Sequence, residues 1–398
     1  MSMRLGSANA FDNSLAQLTS HQAGLADLQE KLTAGKRVLR PSDDPTAAAQ
    51  AERAMTRISR IETEQRALNV QKNSMSMAES TLGNATETLQ AIRDLVVGAG
   101  NAGYTSVNRT SIAQQISALR DQLFGYANKV DSNGVPLFGG LGSASAPFTD
   151  SAAGVAFNGI AGQTAGSAVS IPSAMDGQAV WMNVPSGNGV FDVSLGGTNT
   201  GTVWTDVGQV TNPSAVTGDN YTVTFNVVAG VTTYDVVDTT TATTVSTGQP
   251  YTSGQTIQFG GMSIKAEGVP ANGDTLQIAP SSTTNIFKVI DQAMAGINGA
   301  NNSNKLNQAF TRALAEIDTG MNRIQSARGL AGDMLNRADN IESTQTTKSV
   351  QLETDRSRAE DIDMIKGISD FQNQQTGYDA ALKTYAQVQR LSLFNYLG

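Results

Sequence analysis

A seven-residue spacing of apolar side chains most constrains how this 398-residue chain can fold. Such a repeat predicts one long helix with a coiled-coil seam, because an apolar residue returns to the same helix face every two turns. For residues 54–130 we favour a seam buried in the chain's own core over one that pairs subunits. The residues seven apart are Ile61, Leu68, Met75, Leu82, Leu89 and Val96.

Helical spacing also marks both ends of the chain. Gly35 interrupts the N-terminal pattern, and Asp44 followed by Pro45 predicts the N-cap and first residue of the next helix. Apolar spacing from Leu306 to Ile341 predicts a helix of about 35–40 residues. A final amphipathic segment runs through Ile362, Ile365, Ile368, Tyr378, Leu382, Tyr385, Val388 and Leu391, and its predicted subunit interface comprises Tyr378, Leu382, Tyr385, Val388, Leu391 and Phe394. The N-terminal stripe consists of Phe11, Leu15, Leu18, Leu25, Leu28 and Leu32.

The middle of the chain alternates with a period of two, which is typical of strands. Residues 221–228 and 231–237 predict a hairpin whose turn is Ala229-Gly230. Further strands are predicted at 256–259 and 275–278. Both tryptophans, Trp181 and Trp204, fall within this stretch. We therefore predict an antiparallel β-domain, either a sandwich or a small barrel.

Charge is distributed unevenly along the chain. The net charge is −8, and residues 141–282 carry all of it, with Lys265 as their only cation against nine acids. We interpret this stretch as a solvated outer surface. No basic stripe is present, so nucleic acid is not an expected partner. No apolar run of about 18 residues predicts a membrane span, and the first dozen residues lack the pattern of a cleaved secretory signal.

Residues that could carry chemistry have simpler explanations. The chain has no cysteine and one histidine, His21, which we interpret as an interface or surface residue rather than half of a catalytic dyad. Capping accounts for Asp43 and Asp44 better than a cation site. The acids at 360, 361 and 363 fit a solvated helix face, and Gly139–Gly142 fits a linker rather than a phosphate loop. We predict no catalytic residue, cofactor or metal site.

Four segments resemble the flagellin superfamily. They span residues 28–48, 131–140, 248–281 and 385–398, and the third is more typical of hook-associated members than of filament subunits. The motif in the first segment comprises Gly35, Lys36, Arg37, Pro41, Ser42, Asp43, Asp44 and Pro45. The resemblance covers the helical ends and becomes weaker between about residues 143 and 215.

The resemblance implies a structural, non-enzymatic subunit of the bacterial flagellum at the hook–filament junction. It implies export without a cleaved signal to an extracellular site, and a cytoplasmic export chaperone on the C-terminal helix. The implied partners are the hook-side junction protein, flagellin and other copies of this chain in the junction ring. A filament flagellin is the alternative in the same class. A surface adhesin that presents the β-domain is the alternative from another class.

The predicted fold class is α+β multidomain, with a helical bundle formed by both ends and an inserted antiparallel β-domain. Residues 43–140 and 283–345 form the two halves of the bundle, and residues 141–282 form the insert. Residues 1–42 and 346–398 are assembly helices. Full burial of six apolar side chains contributes about 9–18 kcal/mol, which an isolated helix cannot gain. We therefore expect both ends to be disordered in the monomer and to fold when their two apolar stripes meet neighbouring subunits.

Overall fold

The computed structural model describes residues 7–101, 103–142, 146–299 and 303–397. The chain divides into two compact units, one built from the two ends, up to Arg66 and from Glu342, and one comprising Ala67–Ile341. The helices are α1 (Ser7–Ala34), α2 (Pro45–Ala99), α3 (Ser106–Ala127), α4 (Ile286–Gly299), α5 (Ser303–Glu360) and α6 (Met364–Leu397). None of the helices in the described part of the chain has a stretch long and apolar enough to cross a bilayer.

The heptad prediction is confirmed within the unit that spans Ala67–Ile341. Leu68, Met75, Leu82, Leu89 and Val96 are all at most 1% exposed and lie in one helical core. α2 and α5 run antiparallel there: Arg93 pairs with Asp318 and, further back along α2, Glu79 pairs with Arg328. The seam is therefore buried within this chain.

Helix α5 has 58 residues, longer than the predicted 35–40. After Ile341 the apolar stripe gives way to Thr, Gln, Ser and charged residues, so the periodic signal fades. Most of these residues still tolerate a helix, and no Gly or Pro interrupts the chain before Asp361. Hydrophobic spacing therefore indicated only the half of the helix that has an apolar face. Helix α3 ends at Ala127, and Val130 beyond it forms a β-bridge to Pro136.

In the described residues, thirteen short strands lie between Phe148 and Thr284. Strands β4, β12, β7, β8 and β9 form a five-stranded sheet in that order, and β11 pairs with β10, β5 and β6 in a second sheet. All of the pairings are antiparallel. The strands are β1 (Phe148–Ser151), β2 (Gly154–Phe157), β3 (Val184–Pro185), β4 (Phe191–Leu195), β5 (Trp204–Thr205), β6 (Gln209–Val210), β7 (Tyr221–Val228), β8 (Val231–Asp238), β9 (Thr243–Pro250), β10 (Gln255–Phe259), β11 (Met262–Glu267), β12 (Thr275–Pro280) and β13 (Thr283–Thr284).

The predicted hairpin is confirmed, since β7 and β8 pair from Tyr221 with Asp238 to Val228 with Val231. Ala229 and Gly230 form its turn with φ of 50° and 81°, as a two-residue turn between twisted strands requires. The two sheets enclose one apolar core, in which the Tyr221 and Phe259 rings lie 5.2 Å apart. The β-domain is therefore a sandwich.

Part of the insert belongs to the helical core. Phe148, Ile171, Met175 and Trp181 are buried there among the helices, and the Trp181 ring stacks on Phe287 of α4 at 6.1 Å. The sandwich core instead draws on residues from Phe191 to Ile278. Only one of the two tryptophans is thus in the sandwich, and the structural change from helical core to sandwich falls near residue 185.

The acids of the insert are mostly engaged within it, which corrects the interpretation of a solvated acidic surface. Asp274 accepts hydrogen bonds from the backbone of Thr200, Gly201 and Ala271. Asp235 accepts them from the backbone of Gly248 and from side chains. These carboxylates stabilise tight turns, where backbone N–H groups lack ladder partners.

Candidate assembly interface

The two terminal helices pack against each other as an antiparallel pair. A methyl group placed on Gly24 of α1 would lie 3.0 Å from Gln374 of α6, and one placed on Gly367 would lie 2.8 Å from Leu32. Moving forward along α1 therefore corresponds to moving backward along α6. Glycine at 24 and 367 allows the two helices to approach closely at these levels.

The pairing buries only part of each predicted stripe. Leu18 is 9% exposed, whereas Leu15 and Leu382 remain 49% and 41% exposed. Two helices can cover only one face of each other, so some apolar side chains stay in water. Leu25, Leu28, Leu32, Tyr378 and Tyr385 are half-buried. The side chains of Phe11, Val388, Leu391 and Phe394 lie outside the part of the chain that the structure describes.

The predicted interface left out an apolar cluster at the beginning of α6, although Ile365 and Ile368 belong to the predicted amphipathic segment. Met364, Ile365 and Ile368 are 46%, 85% and 47% exposed. Their spacing is helical, which is the signal that could have placed them in the predicted interface. Exposure decides between a buried stripe and a contact surface, and spacing alone does not give exposure.

The family motif lies where the chain passes from α1 to α2. Lys36 and Asp361 form an isolated antiparallel β-bridge. The backbone N–H of Arg37 donates to the Glu360 carbonyl at 2.7 Å, and that of Ile362 donates to the Gly35 carbonyl at 3.1 Å. The break between α1 and α2 is therefore joined to the break between α5 and α6. We call this pair of breaks, residues 35–44 and 359–363, the paired junction.

Side chains of the motif fix the paired junction further. Arg37 donates to the Ala359 carbonyl at 2.8 Å and to Asp44 at 3.1 Å, and Lys36 forms an ion pair with Glu360. Gly35 adopts a φ of 70°, and the backbone N–H groups of Gly35 and Lys36 donate to the carbonyls of Leu32 and Lys31, which ends α1. A small apolar cluster of Val38, Ala47, Ala51 and Ala359 lies beneath these contacts.

Capping of α2 by Asp44 is confirmed, whereas Asp43 stabilises the turn that precedes α2. Asp44 Oδ1 accepts from the backbone N–H of Ala47 at 3.0 Å, while Asp43 Oδ2 accepts from those of Leu39 and Arg40. Hydrogen bonds from the Arg40 and Leu39 backbone lower the pKa of Asp43 below its usual value. The pKa of Asp44 is lowered by the Ala47 backbone N–H and by Arg37. Pro41 and Ser42 lie exposed in the turn between Arg40 and Asp43, which the Asp43 N–H closes on the Arg40 carbonyl.

The sequence analysis expected the acids at 360, 361 and 363 to lie on one helix face, and the structure shows that this is wrong. Asp361 and Asp363 fall in the break between α5 and α6, because α5 ends at Glu360. Asp363 Oδ1 caps α6 through the backbone N–H groups of Ile365 and Lys366. Glu360 and Asp361 pair with Arg356. Within the described residues, no group of three or more acidic or histidine side chains is arranged to hold a metal ion.

The other weighed features also have structural roles. His21 lies half-buried on α1. Gly140 forms a parallel β-bridge with Ile160, and a methyl group on Gly140 would lie 2.1 Å from the Ile160 carbonyl oxygen. Gly140 is therefore required for a close crossing of two backbones within the predicted linker at Gly139–Gly142.

Comparison with known proteins identifies the class. The bacterial flagellin N-terminal helical region matches residues 7–143, and the bacterial flagellin C-terminal helical region matches residues 314–397. Together these regions contain α1–α3, most of α5, and α6, including the paired junction. The chain belongs to the flagellin family.

Within that family the full-length similarity is to hook-associated proteins. The chain is 25% identical to flagellar hook-associated protein 3 of Escherichia coli over 98% of this chain and 99% of that one. The crystal structure of the flagellar junction protein FlgL from Legionella pneumophila is 30% identical, with a TM-score of 0.68, and the match covers 73% of this chain and 99% of that one. The similarity to a flagellin of Bacillus subtilis, at 34% identity, covers 35% of this chain and 46% of that flagellin.

Proposed function

We propose that this chain is a structural subunit of the bacterial flagellum that joins hook to filament and polymerises through α1 and α6. The observation that carries the polymer contact is the partial exposure of the apolar stripes after the two helices have paired. Leu15 and Leu382 each leave more than a third of their surface in water. Burying each of them against a neighbouring subunit would stabilise the contact by about 1 kcal/mol. In a ring, every subunit contact would gain this free energy.

The same surfaces support the remaining proposals about the ends. A pair of amphipathic helices with exposed leucines gains little from its own packing, so we expect residues 1–42 and 346–398 to become fully ordered only on assembly. Export through the flagellar channel in an unfolded state, with a cytoplasmic chaperone on the C-terminal helix, fits such ends. Partners are expected to be the hook-side junction protein, flagellin and further copies of this chain.

A junction subunit is favoured over a filament flagellin by the extent of similarity, which covers 98% of this chain for flagellar hook-associated protein 3 of Escherichia coli and 35% for the flagellin of Bacillus subtilis. We also propose that the chain is not an enzyme. The acidic clusters in the described residues serve as caps and ion pairs, and the chain has one histidine and no cysteine. A filament flagellin would dominate sheared flagella, whereas a junction subunit would be scarce in them.

The assembly surface can be tested with substitutions that spare the helix pair. Leu15→Asp and Leu382→Asp change exposed positions, so the monomer should keep its helical content while cells shed flagellin into the medium and swim poorly. Gln17→Asp and Gln372→Asp are matched controls on exposed positions of the same helices. Normal filaments on cells that carry both leucine substitutions would refute the proposed surface. Substitution of Leu18, Leu25 or Leu391 by Asp is a second, harsher set, since Leu18 is buried in the pair.

A further inference from the structure

The helical core and the sandwich have separate apolar interiors. The helical core includes Val184 and resumes at Ile286, whereas the sandwich core lies between Phe191 and Ile278. The chain crosses between them twice, and the two crossings pair as the short strands β3 and β13. Neither interior draws on buried residues of the other, so each can remain packed if the contact between them changes.

A polar row on α5 makes the contact between these two interiors. Asn304, Gln308, Arg312 and Glu316 are spaced four residues apart, so they share one face of the helix. Asn304 and Glu316 are each 1% exposed and Gln308 is 9% exposed. A buried polar row on an otherwise apolar helix face is unusual, because each polar group loses water when it is covered.

Each member of the row binds the sandwich. Asn304 donates to the carbonyl oxygens of Gly201 and Val203 at 3.0 and 3.4 Å. Gln308 accepts from the Thr205 backbone N–H at 2.8 Å and donates to the Val193 carbonyl at 3.3 Å.

The C-terminal half of the row uses charges. Glu316 accepts from the Gly187 backbone N–H at 3.0 Å and from Arg312 at 2.9 Å. Arg312 also pairs with Asp192 at 2.9 Å. Burial raises the pKa of Asp192, and the nearby Glu316 adds to this. The contact therefore combines hydrogen bonds to backbone groups with one charged cluster.

Such a contact is weaker than a shared apolar interior. Each hydrogen bond contributes a net of about 0.5–1.5 kcal/mol, because water offers alternatives to both partners. A cavity of about 360 Å³ lies beside the row, lined by residues of β4, α4 and α5 that include Val193, Gln308 and Arg312. Asn304 Oδ1 has no hydrogen-bond partner in the described structure. The two surfaces are thus joined by a few directed bonds around a gap.

We propose that Asn304, Gln308, Arg312 and Glu316 form a latch that can release the sandwich from α5 while both apolar interiors remain folded. Release requires breaking the row and bending the paired strands β3 and β13. The sandwich then turns as one body and adopts more than one orientation on the helical core. The device belongs to the unit that spans Ala67–Ile341 and is independent of the terminal helices.

The latch can be opened by a triple substitution, Asn304→Ala, Gln308→Ala and Glu316→Ala. Alanine favours the helix, so α5 should be retained. The chain has no cysteine, so Val97→Cys on α2 and Val231→Cys on the sandwich, both exposed, can carry spin labels. We expect one narrow distance distribution in the parent and one at least about twofold broader in the triple variant, since release frees a whole domain. The matched control replaces exposed polar residues of the same helix, Asn322, Gln325 and Asn336, by Ala and should stay narrow.

A second measurement uses the unsubstituted protein. The backbone N–H groups of Gly187 and Thr205 donate to latch side chains, so their hydrogen exchange should be at least about tenfold faster than that of Phe225 in the centre of β7. A triple variant whose distance distribution stays as narrow as the parent's overturns the proposal. So does loss of the helical or sandwich fold in that variant, or exchange of Gly187 and Thr205 only on global unfolding.

Discussion

The backbone N–H of Ser186 donates to the carbonyl of Ser282 at 2.9 Å, and the N–H of Ser282 donates to Oγ of Ser186 at 3.0 Å. These two serines close a loop that contains the whole sandwich. The sequence analysis instead placed the ends of the insert at residues 141 and 282. Residues between 148 and 184 lie in the helical core, so excision of 145–280 would remove part of that core.

We therefore predict different outcomes for two excisions. A variant in which a short Gly/Ser bridge replaces residues 187–281 should keep the helical core, because its ends already touch and closure entropy depends weakly on loop length. Excision of 145–280 should unfold that core, because it removes Phe148 and Trp181. Loss of each of these buried aromatic side chains lowers the free energy of unfolding by about 3–5 kcal/mol. Circular dichroism and thermal unfolding measure the helical content and the stability of the two variants. In cells that lack the native copy, only the first variant should support filaments, and equal stability of the two variants would contradict the prediction.

Arg120 on α3 is expected to be the most stabilising charged residue of the helical core. Its guanidinium pairs with Asp150 and, at 2.9 Å, with Asp291, and lies 5.9 Å from the Phe287 ring centroid. Hydrogen bonding to Arg120 lowers the pKa of Asp150. Arg120→Met should lower the free energy of unfolding by about 1–3 kcal/mol, because both carboxylates lose their partner. Urea denaturation measures this change. Arg323→Met is the control, because within the described residues this arginine donates to the Ala179 carbonyl alone, at 3.3 Å, and it should change the free energy of unfolding by less than about 0.5 kcal/mol.

The paired junction should loosen in acid. The pKa values of Asp43 and Asp44 are lowered from 3.8 in the folded chain, so their stabilisation is complete above that value. It is lost as the pH falls below 3.8 through the lowered pKa values, because protonation removes the charge that the backbone N–H groups stabilise. Hydrogen exchange, corrected for its intrinsic pH dependence, should show faster opening at Leu39 and Ala47 below this pH. Asp43→Asn should abolish the pH dependence at Leu39, and an unchanged dependence in that variant would count against the role of Asp43 in this turn.

Limited proteolysis of a verified monomer should trim both ends roughly to residues 45–345 and then stop. The reason is that α1 and α6 are stabilised mainly by each other, and their exposed leucines are not buried until a neighbouring subunit binds. Circular dichroism should show more helix after assembly than before. Protection of the first 30 residues in the monomer would contradict the expected disorder.

The sequence alone determined the local conformations of this protein. Seven-residue spacing, Asp44 before Pro45, and Ala229-Gly230 between alternating runs each specify a helix, a cap or a turn through residues that are close in the chain. The family motif could be recognised for the same reason. Its exposed and capping residues were therefore predictable, but its partners at 359–363, far away in sequence, were not.

Tertiary structure decided which of these elements share an interior. Trp181 lies in a stretch with the composition of the insert, yet it is buried among helices because Phe138 and Phe287 meet it there. Asn304, Gln308 and Glu316 have the composition of a solvated helix face, yet they are buried because the sandwich covers them. Periodicity reports how a residue is oriented on its own element. Burial depends on what another part of the chain places against it, and that information becomes available only when distant segments pack.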